Sequence, residues 1–453
     1  MKKEISTVRS RLSITNKQLR EFEAIASDAG QDLSRLYEGE SQNTHYRIAS
    51  MQEARRILSQ ATEAERRKRS ETFLDGLEYR SRIPQGMHDR GEAYVFADHP
   101  LEAERDKGGH DNHLPIYVRT LSILEKVVPA GGVWDLSVHP SEWGVDEREE
   151  MYNVVNIGKL TLEAGASIVV RGNAFILTCQ ELIKEGSFRT DYDIGILGTL
   201  HGFGSRRGDY DGAHGKAGND GSKGADGRKP RLGSTFLGSV TDEFFSKDAL
   251  NGGDGNDGEA GADGEPGLNG GACRIAEINL RCMTIQSPVT VGVIPGRGGN
   301  GGDGGNGGDG GNGGMGIDGF KTVEKLVPPG CGGNGGNGGK GGKGGRAGHG
   351  GISSNVFLTV PEKAIENIHY FSKKGQPGKA GKGGTGGKGG RVGKGGLPFT
   401  RSENDEQADR LDGTPGEPGK NGRDGRTGRV MPAAKIYVNN CLKTDSEPDY
   451  FSN

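Results

Sequence analysis

Apolar positions follow three different rules along this chain. Over residues 1–83 they recur at helical spacing, with Leu19, Phe22 and Ile25-Ala26 three or four apart. Ser13-Ile14-Thr15-Asn16 followed by Gln18 supplies capping chemistry ahead of them, and Gly30 offers a stop. A second helix is predicted from about Thr44 to Arg82, ending before Pro84. Its apolar positions (Ile48, Met51, Ile57, Leu58, Ala61, Phe73, Leu74, Leu77) are sparse among charges, and such a thin seam suits docking to another helix or to the rest of the chain. The run Arg66-Arg67-Lys68-Arg69 stands beside Glu63 and Glu65 and reads as a solvated face rather than a phosphate site. Residues 116–118, 121–124 and 133–138 read as short strands, with Trp134 and Trp143 anchoring a small core. Over residues 151–200 the rule becomes alternation. MYNVVNIGKLTLEAGASIVVRGNAFILTCQELI interleaves β-branched and polar residues, with Gly158, Gly165 and Gly172 at turns, as in strands of a sheet or coils of a solenoid.

From about residue 205 glycine replaces apolar residues as the periodic element. It recurs every third residue over 212–227, 252–270, 298–319, 333–351, 375–396 and 413–428. A period of three fits neither an α-helix nor a β-strand, but it fits the extended polyproline-II conformation, which has no internal hydrogen bonds. In Gly-Gly-X tracts such as GGNGGDGGNGGDGG two faces are bare, so neighbouring backbones can hydrogen-bond sideways. The tracts come in pairs separated by non-glycine loops and by strand-like segments at 272–296 and 352–372, an internal repeat of about 80 residues. The pattern predicts three polyglycine hairpins on a β platform, each tract of about 20 residues reaching roughly 60 Å. The Gly-Gly-X tracts (298–319, 333–351, 375–396) are expected inside and the Gly-X-Y tracts at the edges. Asp303, Asp309 and Asp318 are expected to set register against Lys340, Lys343 and Arg346 or Lys379, Lys382 and Lys388, although exposed pairs contribute only about 0–1 kcal/mol each.

The expected fold class is therefore mixed: amino-terminal α-helices, a β-sheet or β-solenoid platform, and a bundle of six polyglycine-II helices formed by three Gly-rich hairpins. The expected organisation is a helical attachment or oligomerisation segment (1–83), a β-rich platform (84–204), the polyglycine-II repeat domain (205–430), and a closing strand with a polar tail (431–453).

Composition changes this picture little. There are 84 Gly among 453 residues and 31% are hydrophobic, which argues against one large apolar core. Glycines that keep register over whole tracts argue against simple disorder. Collagen is disfavoured by only 18 Pro in total and by tracts that break about every twenty residues. A formal net charge of -3 gives no basic field for nucleic acid. Five Cys without CxxC spacing favour free thiols and a reducing place of synthesis. MKKEISTVRSRLSITNK has no apolar core of a signal peptide. Synthesis in the cytoplasm and a virion or extracellular destination are the expectation. No apolar run is long enough for an integral membrane segment. His88, His99, His110 and His113 fix no further ligand by spacing and read as surface histidines. GGDGNDGEA at 252–260 resembles a single calcium nonapeptide but has Glu259 where an apolar residue belongs. No nucleophile, zinc or phosphate-loop motif is present, so no catalytic residue, metal or cofactor is expected and the protein is read as no enzyme.

Candidate chemistry lies in the loops between paired tracts. The first holds Leu232, Phe236, Leu237, Phe244 and Phe245, the second Phe320, Val323, Leu326 and Val327, the third Leu397, Phe399 and Leu411. Such residues either cap the ends of the tracts or contact a ligand, since loops on a rigid scaffold often bind. Phe236, Leu237, Phe244, Phe245, Phe320, Val323, Leu326 and Phe399 are the binding candidates. GGNGGDGGNGGDGG and GKGGTGGKGG, with their non-glycine tips, resemble the receptor-recognising tail-fibre adhesins of T-even-like phages. They are also similar to the six-helix amino-terminal domain of the Obg GTPases, though no GTPase motif accompanies them. The first resemblance implies a non-enzymatic adhesin of phage or bacterial origin whose tips meet a surface receptor, protein or glycan; the thin apolar seam of residues 1–83 adds the expectation that this segment attaches to a partner or self-associates. A toxin component whose amino-terminal helices act on membranes and an assembly scaffold are the alternatives.

Overall fold

The computed structural model describes residues 14–69, 95–97, 114–139, 142, 151–186, 191–199, 211–241, 246–399 and 410–443. From residue 116 to residue 197 successive strands are dealt alternately to two sheets. The larger is nine-stranded and runs, in spatial order, β1 (Gln42–Ile48), β2 (Ile116–Val128), β4 (Met151–Leu162), β6 (Ala174–Lys184), β10 (Ala276–Leu280), β15 (Val356–Thr359), β17 (Ile436–Val438) and β18 (Cys441–Lys443), with β11 (Met283–Ile285) also against β6. Only its outermost pairs, β1–β2 and β17–β18, are antiparallel. The smaller sheet is parallel throughout, in the order β16 (Ile368–Ser372), β12 (Val289–Ile294), β7 (Ile194–Leu197), β5 (Ser167–Arg171) and β3 (Val133–Asp135).

Side-chain alternation divides the core as a pleated strand requires. Val155, Ile157, Phe175, Leu177, Ile278 and Leu358 point into one cluster with Ile168, Ile196 and Val291 of the smaller sheet. The intervening Tyr152, Val154, Ile176, Phe357 and Tyr437 point the other way, onto Ile48, Met51, Leu58 and Phe96. Burial on both faces is the usual condition of a parallel sheet, and it explains the near-continuous apolar run in β4. The helix Asn16–Asp28 carries the expected capping box between Thr15 and Gln18 and buries Leu19, Phe22 and Ala26. Asn156 of β4 donates to the Phe22 carbonyl at 2.9 Å and fastens this helix to the sheet.

The mixed class with six polyglycine-II helices and a helical amino-terminal region is corrected by this architecture. The described residues are mostly β, in one large mixed sheet and one parallel sheet, and the helices are few and short. Among the described residues no helix falls in any glycine tract, so no six-helix bundle is formed; the sideways bonding expected of the tracts is present, their backbone N–H groups donating to carbonyls of other tracts. They are extended segments that depend wholly on neighbours. The helix expected from Thr44 is likewise corrected. Thr44 lies in β1, whose residues alternate half-buried and exposed and pair with β2, so tertiary pairing overrides a weak helical pattern. Ser50 then caps a short helix, Met51–Leu58, and residues 63–69 are helical again. Phe73, Leu74 and Leu77, the four histidines 88, 99, 110 and 113, and Trp143 lie outside the described residues. No helix among the described residues is long and apolar enough to cross a membrane.

Each glycine hairpin leaves the end of a smaller-sheet strand (β7, β12, β16) and re-enters the larger sheet (β10, β15, β17). Earlier in the chain the equivalent step, β5 to β6, takes two residues, Gly172-Asn173. The hairpins are thus long excursions at one repeated corner, and the sheets set their spacing.

Candidate binding surface at the hairpin tips

The tracts lie in two layers. Outgoing tracts 211–227, 298–319 and 375–396 run side by side and parallel: the Gly218 N–H donates to Asn306 O at 2.8 Å and the Gly307 N–H to Thr385 O at 2.9 Å. Returning tracts 252–270, 330–351 and 412–430 repeat this, as in Gly258 to Asn337 O and Gly338 to Glu417 O, both 2.8 Å. Antiparallel bonds join the layers, such as Gly308 to Glu259 O, Gly339 to Gly308 O and Gly387 to Gly339 O, at 2.8–2.9 Å. Tracts 298–319 and 330–351, both Gly-Gly-X, each bond to four others. Tract 375–396, expected inside, has as many tract neighbours as 252–270, expected at an edge. A β-carbon on Gly304 would stand 2.1 Å from Gly342 O, and one on Gly305 would stand 2.0 Å from Lys216 O. Both bare faces of this tract are therefore in backbone contact, and only the X residue faces solvent.

The X residues hold register, but not by ion pairing. Asp303, Asp309 and Asp318 use a carboxylate oxygen to accept the backbone N–H of Lys382, Lys388 and Leu397, each at 2.7 Å. Asn300, Asn306 and Asn312 do the same for Lys379, Thr385 and Arg391 at 2.7–2.9 Å. An amide serves as well as a carboxylate, so the expected charge pairing is corrected: what matters is an acceptor one carbon from Cβ. Asp309→Ala should lower stability by about 1 kcal/mol while Asp309→Asn leaves it unchanged, as read by thermal denaturation. Equal losses in both would return the role to charge.

The tips gather at the ends remote from the sheets. In the first, β8 (Leu232–Thr235) and β9 (Gly238–Thr241) form a hairpin with Phe236-Leu237 at its apex, 97% and 69% exposed. The second is the short ladder β13 (Phe320–Lys321) with β14 (Leu326–Val327). The Val323 N–H donates to Ser239 O at 2.9 Å and joins the second tip to the first, while Gly319 donates to Leu397 O at 2.8 Å and joins it to the third. Val323, Leu326 and Phe399 are about half exposed. Phe320 is different. It is buried with Leu250 and Val327 against Ile317, under the Lys229 ammonium, and closes the end of the tracts. It is a cap residue rather than a contact residue. Phe244 and Phe245 lie outside the described residues. The sequence did not separate cap from contact because both are apolar residues in glycine-poor loops. The signal that distinguishes Phe320 is its position immediately after the last lateral glycine, Gly319.

Burial pushes the thiols of Cys179 and Cys273 up to about 12, so both stay protonated at neutral pH. No group of three or more His, Cys, Asp or Glu among the described residues is placed to hold a metal ion. Set against protein-family models, curated proteins and solved structures, the chain matches none.

Proposed function

We propose that this is a non-enzymatic binding protein that presents the joined hairpin tips to a cell-surface receptor, protein or glycan, in the manner of a phage or bacterial adhesin acting from a virion or outside the cell. The observation that carries the reading is the cluster Phe236, Leu237, Val323, Leu326 and Phe399, exposed at the end of a scaffold whose backbones are tied together at every third residue. Large apolar side chains held out by ordered backbone mark interaction surfaces, and a pre-ordered loop loses little entropy on binding. Attachment through residues 1–83, the other contact expected from the sequence, has to use polar surface over 14–69, because Leu19, Phe22, Ala26, Met51 and Leu58 are already buried within the chain. A membrane-active role for residues 14–69 would have to expose the same residues. Replacing Phe236, Leu237, Leu326 and Phe399 together by Ser should abolish retention on bacterial cell envelopes, at least about tenfold by the loss of several anchors, with the melting temperature unchanged. Full retention by this variant would remove the proposal.

A further inference from the structure

The returning layer carries a second surface, independent of the tips. Near the tips its X residues follow the acceptor rule: Asn334 and Asn337 accept the N–H of Thr414 and Glu417 at 2.8 and 2.9 Å. Over the next three rows the rule lapses. The same positions become Lys340, Lys343 and Arg346, set beside Lys420, Arg423 and Arg426 by bonds from Gly341, Gly344 and Ala347 to their carbonyls, each 2.9 Å. These six side chains are exposed. Arg429 extends the block, its N–H donated to His349 Nδ1 at 2.9 Å.

Two penalties accompany this change. The backbone N–H groups of Lys420, Arg423 and Arg426 have no protein acceptor among the described residues, and like charges stand side by side, which is unfavourable in laterally paired chains. Among the described residues one ion pair reaches the block, Asp263 to Lys343 at 3.9 Å, while Asp424, between Arg423 and Arg426, accepts the Gly383 N–H at 2.8 Å. Packing does not ask for cations here, because the X face is open and the matching positions of the other inner tract, 298–319, carry Asn and Asp; basic X residues also occur in the outgoing layer, at Lys379, Lys382, Lys388 and Arg391. A local rule broken three times in succession, without structural return, marks a functional surface.

We propose that this block binds a linear acidic polysaccharide lying along the tracts. Rows recur every three residues, roughly 9 Å at about 3.1 Å per residue, and the three open N–H groups add donors for carboxylate or hydroxyl oxygens. Duplex DNA presents a charge about every 1.7 Å of axis, far denser than these rows. Single-stranded nucleic acid is usually held by aromatic stacking, and residues 330–351 and 412–430 contain no Phe, Tyr or Trp. A polymer with one carboxylate on alternate sugars fits the sparser pattern.

The test uses the full chain with hyaluronate as probe, and dextran and oligothymidylate as competitors. Hyaluronate should be retained at low salt, weaken by about tenfold or more at physiological ionic strength as screening predicts, and resist dextran. The triple variant Lys340→Asn, Lys343→Asn, Arg346→Asn restores the acceptors, so it should melt no lower than the parent yet bind at least about tenfold more weakly, as removal of half the cations would screen. A tip variant should bind hyaluronate normally. No retention at low salt, equal competition by dextran, or unchanged binding by the triple variant overturns the proposal. Tighter binding of oligothymidylate than of hyaluronate overturns it in favour of a nucleic acid.

Discussion

Gly304→Val should dismantle the tract array as a unit. The new β-carbon would lie 2.1 Å from Gly342 O and 2.5 Å from its carbonyl carbon, and neither atom is the movable end of a side chain. The two innermost tracts must part. With them go the bonds Gly339 to Gly308 O, Gly342 to Gly305 O and Gly345 to Gly302 O. Three lost bonds at about 1 kcal/mol each give a loss of about 3 kcal/mol before any spread along the tract. Spread is expected, since ordering glycine is unfavourable by roughly 0.5–1 kcal/mol per residue relative to alanine and the tracts have no internal bonds to fall back on. Asn306→Val, two residues along on the solvent face, is the matched control. It removes only the bond to the Thr385 N–H and should cost about 1 kcal/mol. Thermal denaturation followed by circular dichroism reads both, and indistinguishable melting of the two variants would refute the array as the source of order.

Arg69→Met should be about as damaging, from the opposite end of the molecule. Arg69 and Glu277 are 4% and 0% exposed and meet at 2.9 Å, Nη1 to Oε2. Glu277 also accepts the Gln60 N–H at 2.9 Å, Arg69 donates to Asn440 Oδ1 at 3.2 Å, and its guanidinium lies 4.1 Å over the Phe357 ring. Residues 60–69 are thereby fastened across β10, β15 and the turn before β18. Removing one member leaves a buried carboxylate without its cation, which typically costs about 3–5 kcal/mol. Arg69→Met with Glu277→Leu should recover much of that, because the apolar pair avoids desolvating two charges. Urea denaturation of the singles and the double closes the cycle. A double variant no more stable than Arg69→Met would show that the pair is not coupled as described.

The legible parts of this chain are those governed by local period. Thr15 to Gln18 announced a helix start, the alternation in residues 151–184 announced strands, and glycine at every third residue announced sideways bonding with hairpin turns between tracts. What stayed hidden is set by distant partners. Which sheet a strand joins depends on the alternation between layers, and nothing in VWD or IGIL states it. Gln42–Ile48 became a strand because β2 offered an edge, against a helical reading of the residues that follow. Asp303 and Asp309 suggested ion pairs because a carboxylate reads first as charge, whereas Asn306 between them was the clue that geometry was the requirement. Phe320 and Leu326 look alike in sequence, and only the closing of the tract ends puts one inside and the other out.

Because sideways bonds recur along the full length of every tract, a pull applied at the tips and resisted at the sheets is a shearing load. No tract can extend until its whole row of bonds to each neighbour slips together, and six tracts share the tension from the start. The shaft is built as a laminate rather than a rope: stiff along its axis, and liable to fail by delamination where a single side chain wedges two plies apart.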